Sequence, residues 1–274
     1  MNIHDLKARK IAGKKISMVT CYDAAFASVL ERTEVDLLLV GDSVAMVMHG
    51  FPNTLSATPE MMALHTAAVS RGAPSKWIVG DMPFLSTRKG KAHAVEVAGK
   101  LLQAGAHAIK IEGIDDQESV IDHLVKSGIP VVGHLGLTPQ FLHALGGMKV
   151  QGKDDEAQDA ILKQSRKFEK LGACALVLEC IPEALGAEIT SELGIPTIGI
   201  GAGRKCDGQV LVLQDLLGFR PDFRPKFLRH YLQGSKILSE VLNHFHDDVI
   251  HGHYPSAQEC YFPMETEIPR EGHA

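Results

Sequence analysis

At 274 residues, with 45% hydrophobic and 22% charged side chains, the chain matches an ordinary globular protein and is long enough to bury a large core. Its formal net charge of −5, with no basic block, argues against nucleic acid or anionic membrane as partners, because both need clustered Lys and Arg. The opening MNIHDLKARKIAGKK lacks the apolar run of a secretory signal, and stretches such as ALVLECI are too short to span a bilayer, so the expected location is the cytoplasm. Cys21, Cys174, Cys180, Cys206 and Cys260 form no CxxC pair and are expected to be reduced thiols.

In chain order, apolar runs predict strands at KISMVT (15–20), DLLLVGD (36–42), KWIVGDM (76–82), AHAIKIEG (106–113), IPVVGHL (129–135), ACALVLEC (173–180), IPTIGIG (195–201) and QVLVLQD (209–215). The loop 43–58 after the second strand is long for such a connection and is expected to act as a lid. DDEAQDAILKQSRKFEKLGA (154–173) predicts a helix with Asp154 as its N-cap and Ala157, Ile161, Gln164, Phe168 and Leu171 on one face. A further helix is predicted at 223–247, and an irregular tail from about His251. Near-continuous apolar strands separated by helices imply a parallel sheet covered on both faces. Eight such units fit a (β/α)8 TIM barrel of the α/β class, read as one domain over 1–274.

Ligands of parallel barrels bind at the carboxyl ends of the strands. There the second strand ends in Asp42 and Ser43, the third at Asp81, the fifth at His134 and the sixth at Glu179, while the fourth carries Lys110 and Glu112. Strand residues two apart share a face, so Lys110 and Glu112 can both point inward. A plain structural role competes at each position. Asp42 or Asp81 can be a turn former, His134 a hydrogen-bonded core histidine, and Lys110 with Glu112 a structural ion pair. Glu179 closes the apolar run ALVLE, where desolvation strengthens a carboxylate as a proton acceptor. Taken together, clustered carboxylates without Arg suggest a cation, and oxygen donors with at most one His suit Mg²⁺ more than Zn²⁺. A 2-oxo acid can chelate Mg²⁺ while a nearby base removes the proton α to its carbonyl.

Two other stretches carry weaker signals. GIGAG (199–203) lacks the spacing of a phosphate-binding motif and reads as a tight strand-to-helix turn lining the pocket with backbone amides. HFHDDVIHGHY (244–254) is rich in His and Asp, yet without Cys or a second cluster it reads as a solvated helix end, not a zinc site.

VTCYDAAFA (19–27), VGDSVAMVMHGFPNTL (40–55), GDMPF (80–84), IKIEG (109–113), GHLGLTPQ (133–140), LVLECIP (176–182) and GIGAGRKCDGQVLVLQDLLGF (199–219) closely resemble the 3-methyl-2-oxobutanoate hydroxymethyltransferase family, of the phosphoenolpyruvate mutase and isocitrate lyase superfamily. The resemblance implies a (β/α)8 barrel that uses Mg²⁺ to move a hydroxymethyl group from 5,10-methylenetetrahydrofolate to 3-methyl-2-oxobutanoate, in pantothenate biosynthesis. It implies that Asp42 and Asp81 hold the metal, with Glu112 a ligand directly or through water. It further implies that Asp42, Ser43, Asp81, Lys110 and His134 form the oxo-acid site, that Glu179 accepts the proton, and that the assembly is a homodecamer of two pentameric rings. Departures from the family pattern are Ala45, Pro52-Asn53 and Arg204-Lys205, none at a proposed ligand. Two other functions compete. A Mg²⁺-dependent carbon–carbon lyase of the superfamily would typically carry a Cys in the lid, which 43–58 lacks, and a catalytically silent binding barrel predicts loss of a rim residue, whereas all are present.

Overall fold

A computed structural model describes residues 2–261. Eight parallel strands close into a barrel in the order β1 to β8: Ile16–Thr20, Leu37–Val40, Trp77–Asp81, Ala108–Glu112, Val131–Gly136, Ala175–Glu179, Thr197–Ile200 and Gly208–Leu211. Closure comes from β8 pairing with β1, Ile16 opposite Gly208. Each strand falls on its predicted run and is shorter than expected, with β5 extending one residue past its run to Gly136 and β8 beginning one residue before its run at Gly208. Helices α1 to α10 are Ile3–Ile11, Ala24–Glu31, Val44–Val47, Pro59–Gly72, Lys91–Gln103, Glu118–Lys126, Asp155–Lys170, Glu183–Glu192, Leu213–Leu216 and Gly234–Ile250.

Alternation along the strands sorts two cores. Leu37, Leu39, Trp77, Val79, Ala108, Val132, Ala175, Val177 and Ile198 fill the barrel interior, joined by Leu6 of α1. Leu38, Val40, Ile78, Ile109, Ile111, Leu176 and Leu178 point outward and pack under the helices. Continuing the inward set one step toward the carboxyl end reaches Asp81, Lys110, Glu112, His134 and Glu179, so the parity that buries valines below puts ionisable groups inside the barrel above. Behind β5, the Phe168 ring lies so close to Gly133 that an added Cβ would sit 2.7 Å from it. A side chain there would displace α7 or the strand that carries His134.

Asp154 caps α7 as expected, its carboxylate accepting from the Ala157 amide at 2.9 Å. The buried face, however, is Ile161, Leu162, Ser165 and Phe168; Gln164 lies at its edge and donates to Asp115 at 2.6 Å. Ser165 can face inward because its hydroxyl bonds the Leu162 carbonyl at 2.8 Å.

Two expectations are corrected. No helix follows GIGAG: Gly201 (φ +67°) and Gly203 (φ +85°) turn the chain straight back to β8 through 201–207, too short a return for a helix, and only Ile200 of the segment lines the pocket. The helix predicted from 223 starts at Gly234, because the Tyr231 and Gly234 amides bond back to the Leu216 and Leu217 carbonyls, each at 2.8 Å, and hold the preceding chain off a helical path. Residues 221–233 instead run irregularly over the barrel mouth. The His-rich segment is an exposed helix end, and no group of three His, Cys, Asp or Glu among the described residues is arranged to hold a metal by itself. The tail carries a short 3₁₀ turn at Ala257–Glu259, and the part of it beyond 261 lies outside the described residues. All five cysteines are free, and no helix of the described residues is long and apolar enough to cross a membrane.

Candidate active site

One cavity of about 490 Å³ at the carboxyl ends of the strands is lined by every candidate residue: Asp42, Ser43, Asp81, Lys110, Glu112, His134 and Glu179. Lys110 Nζ is its hub, 3.1 Å from Asp81 Oδ1, 3.6 Å from Glu112 Oε1 and 3.1 Å from His134 Nδ1. The register explains the convergence, since Lys110 pairs with Asp81 on β3 and Glu112 with His134 on β5. Asp42 enters differently. It lies beyond β2, in a turn whose backbone amide donates to Asp81 Oδ2 at 3.0 Å.

Gln140, which carries no charge or periodicity to betray it in the sequence, organises these carboxylates. It sits on a 3₁₀ turn, Pro139–Phe141, after β5. Its Nε2 donates to Asp42 Oδ2 and to the Met82 carbonyl, both at 2.9 Å, and its backbone amide donates to Glu112 Oε2 at 2.9 Å. Tyr22 is likewise unforeseen. Its buried phenol shares a 2.8 Å hydrogen bond with Ser43 Oγ, and burial holds that phenol protonated.

The electrostatics follow from crowding three carboxylates around one lysine. Burial, and then the charges of Glu112 and Asp81, push the Asp42 carboxyl well above its ordinary value. Burial also raises Asp81, against the pull of Lys110. Glu112 goes the other way: burial would raise it, but Lys110 and the contact with His134 outweigh burial and hold it low. Burial disfavours the Lys110 ammonium, yet Asp81, Glu112 and Asp42 outweigh it and keep the group protonated.

His134 connects this ring to Glu179. With Lys110 donating to Nδ1, the neutral ring keeps its proton on Nε2, 3.3 Å from Glu179 Oε2. Protonation would aim Nδ1–H at Glu112 Oε1, also 3.3 Å away. Burial and Lys110 oppose that charge, but Glu112 and Glu179 overcome them and raise the His134 pKa. Glu179 itself keeps 18% of its side chain exposed to the cavity, so the desolvation expected from its apolar strand is partial.

The donor set suits a divalent cation. Asp81 Oδ1 has only the Lys110 ammonium, 3.1 Å away and not aligned as a hydrogen bond, and the hydrogen bond to Asp42 runs to Oδ2, leaving Asp42 Oδ1 unengaged. Both Glu112 oxygens are already occupied, by Lys110 and His134 on one side and the Gln140 amide on the other. Two oxygen-donor carboxylates with room beside them fit Mg²⁺, which keeps waters and substrate oxygens in its shell and needs no all-protein cage.

The 43–58 loop forms one wall through Met46, Val47 and Thr54. It contains α3 and a 3₁₀ turn, Thr54–Ser56, capped by Asn53, whose side chain accepts from the Leu55 amide at 3.1 Å. Of the departures from the family pattern, Ala45 is fully buried and Arg204 pairs with Glu183 on the surface at 2.8 Å.

Residues 1–257 match the family model described as ketopantoate hydroxymethyltransferase. A 3-methyl-2-oxobutanoate hydroxymethyltransferase of Bdellovibrio bacteriovorus is 49% identical over 95% of this chain and 98% of its own length. One from Coxiella burnetii is 50% identical over 95% and 99%. Among solved structures, a phosphonopyruvate hydrolase in complex with oxalate and Mg²⁺ superposes with TM-score 0.62 at 13% identity, over 94% of this chain and 93% of that one. A 2,3-dimethylmalate lyase, described as a member of the PEP mutase/isocitrate lyase superfamily, superposes with TM-score 0.58 at 13% identity, over 94% and 91%.

Proposed function

The chain belongs to the ketopantoate hydroxymethyltransferase family, and on that premise we propose that it transfers the one-carbon unit of 5,10-methylenetetrahydrofolate to 3-methyl-2-oxobutanoate, giving 2-dehydropantoate for pantothenate biosynthesis. It is a hydroxymethyltransferase by its relatives. The observation that carries the substrate and mechanism is the placement of Glu179 and the Asp42–Asp81 pair on the same cavity, bridged by Lys110 and His134.

Asp42 and Asp81 would hold Mg²⁺, with Glu112 acting on it through water because its own oxygens are engaged. Bound there, Mg²⁺ would polarise the keto oxygen and stabilise the negative charge that develops on it. Lys110 places a fixed positive charge beside the oxo acid, and Ser43, held by Tyr22, offers a hydroxyl. Glu179 accepts the C3 proton, and His134 keeps that carboxylate aimed. The carbon so activated bonds to the methylene carbon, whose bonds to the two folate nitrogens break; a water supplies the hydroxyl oxygen, and the protons from Glu179 and that water go to the nitrogens as tetrahydrofolate leaves. The phosphonopyruvate hydrolase described with oxalate and Mg²⁺ is a precedent within the fold.

NMR exchange of the C3 hydrogen of 3-methyl-2-oxobutanoate in D2O tests metal and substrate together. Exchange should stop with EDTA and return with Mg²⁺, and 2-dehydropantoate should form only when 5,10-methylenetetrahydrofolate is added. Undiminished exchange without metal, or no product with the folate, would overturn the reading. Because the Asp42 carboxyl is raised, a proton competes with the metal, so Mg²⁺ affinity should fall as pH falls through that raised value and plateau above it. A titration of Mg²⁺ affinity that is flat with pH would contradict this.

The exposed side of α10 supports an assembly of copies. Val241, Leu242 and Phe245 are more than half exposed, and of the helix only Gly234 is buried. An apolar face of this kind ordinarily meets a partner, and the homodecamer implied by the family resemblance would supply one. Sedimentation should return ten times the chain mass; a monomer at micromolar concentration would refute it.

A further inference from the structure

The charged ring occupies only the barrel end of the cavity, and a small oxo acid fills a minor part of about 490 Å³. The rest of the wall comes from the 43–58 loop, from residues 137–150 and from the stretch after β8, and nothing in the chemistry above uses the last of these. Asp215 and Arg220 stand on that wall. The Asp215 side chain is 8% exposed, and its Oδ1 lies 3.1 Å from Arg220 Nε. Both atoms are nevertheless buried without an aligned hydrogen bond. Native folds leave few buried polar atoms in that state, and those they leave call for a partner. The same wall carries a flat apolar surface. The Arg220 guanidinium lies 4.1 Å from the centre of the Phe223 ring, and Phe227 lines the cavity nearby. Lys149 and Lys226 line the cavity too, and both are exposed, which puts positive charge at its mouth.

We propose that this outer half of the cavity is the subsite for the second substrate, a flat nitrogen heterocycle with an anionic tail. The N–H edge of the ring donates to Asp215, its faces meet Phe223 and Phe227, and the carboxylates of the tail reach Lys149 and Lys226. A ring that presents adjacent N–H groups matches a carboxylate in two-point geometry, and aromatic walls suit a planar ligand. Burial raises the Asp215 carboxyl, and Arg220, 3.1 Å away, pulls against that rise. The assignment rests on the proposed function, for which 5,10-methylenetetrahydrofolate is the ligand of this class.

Calorimetric titration of tetrahydrofolate into the Mg²⁺-loaded full chain tests it. Asp215→Asn should raise the Kd for tetrahydrofolate by about tenfold to a hundredfold, the range set by losing a charge-assisted hydrogen bond. The Kd for 3-methyl-2-oxobutanoate should stay near the unaltered chain's value, since its site lies at the other end. Lys226→Glu, an exposed change that leaves the fold intact, should weaken triglutamyl tetrahydrofolate more than the monoglutamyl form. If the unaltered chain binds tetrahydrofolate and Asp215→Asn binds it equally well, the subsite is elsewhere. Equal weakening of both glutamyl forms by Lys226→Glu, or none, removes the tail assignment. If the unaltered chain exchanges the C3 hydrogen yet binds no tetrahydrofolate, the folate reading itself fails and the subsite falls with it.

Discussion

Glu179→Gln is expected to lose exchange of the C3 hydrogen by about 10²–10⁴, the range of a single positioned general base, while still binding Mg²⁺ and the oxo acid. The substitution keeps shape and hydrogen-bonding reach but removes the negative charge that makes the oxygen basic enough to take the proton. Metal and substrate binding survive because Asp42, Asp81 and Lys110 are untouched, and Glu179 meets the ring only through His134, 3.3 Å away. A secondary effect follows from the same contact. His134 owes part of its raised pKa to Glu179, so its titration should move down in the variant. Deuterium exchange followed by NMR, with oxo-acid binding by calorimetry, measures both halves. Exchange at the unaltered rate would move the base to another residue.

Lys110→Met should act on the fold as much as on the reaction. Lys110 is 5% exposed and lies between Asp81 and Glu112, and its removal leaves buried carboxylates facing one another with no fixed cation. Breaking such a pair costs about 3–5 kcal/mol, or a fall of roughly 10 °C in melting temperature for a chain of this size. The sign of the pH dependence can be worked out. Asp42 and Asp81 already have raised folded-state values, so each adds stability while protonated and loses it as pH rises through its raised value. Glu112 is held low chiefly by Lys110 against burial, so it contributes stability above its unfolded value and loses it as pH falls through its folded one. Without Lys110 that pull is gone, and Glu112 joins the groups stabilised by protonation. The variant in EDTA should therefore melt higher near pH 5 than near pH 8, within the range where such carboxylates titrate. A melt that matches the unaltered chain at both pH values would show that the carboxylates do not depend on this lysine.

How much of the site could be read in advance follows from how each residue is carried. Asp81, Lys110, Glu112, His134 and Glu179 are strand residues, and period-two alternation sends them inward whatever the rest of the chain does. Asp42 does not obey that parity, because β2 ends at Val40 and a turn re-aims the chain; it enters the site through its own amide on Asp81 and through Gln140. Gln140, Tyr22 and Arg220 were beyond pattern reading for a related reason. A polar residue in a loop is ordinary, and only contact with residues far along the chain makes it part of a site. The two misplaced helices err similarly. Apolar periodicity after 223 says nothing of the bonds from Tyr231 and Gly234 back to the Leu216 and Leu217 carbonyls, and the return from β7 to β8 through 201–207 has no length for a helix.

By itself, the sequence determined the local facts: eight apolar segments with the right period, a cap at Asp154, the two-residue spacing of Lys110 and Glu112, and the motifs that place the chain in its family. These depend on neighbours a few positions away, which chain geometry supplies without reference to the rest. The tertiary structure decided the closure of β8 on β1, the 3.1 Å approach of Lys110 to both Asp81 and His134, and the hold of Gln140 on Asp42 across 98 positions of chain. It also decided which carboxylates rise and which falls. Those outcomes depend on distance and burial, and both exist only once non-local hydrogen bonds have fixed the strands side by side.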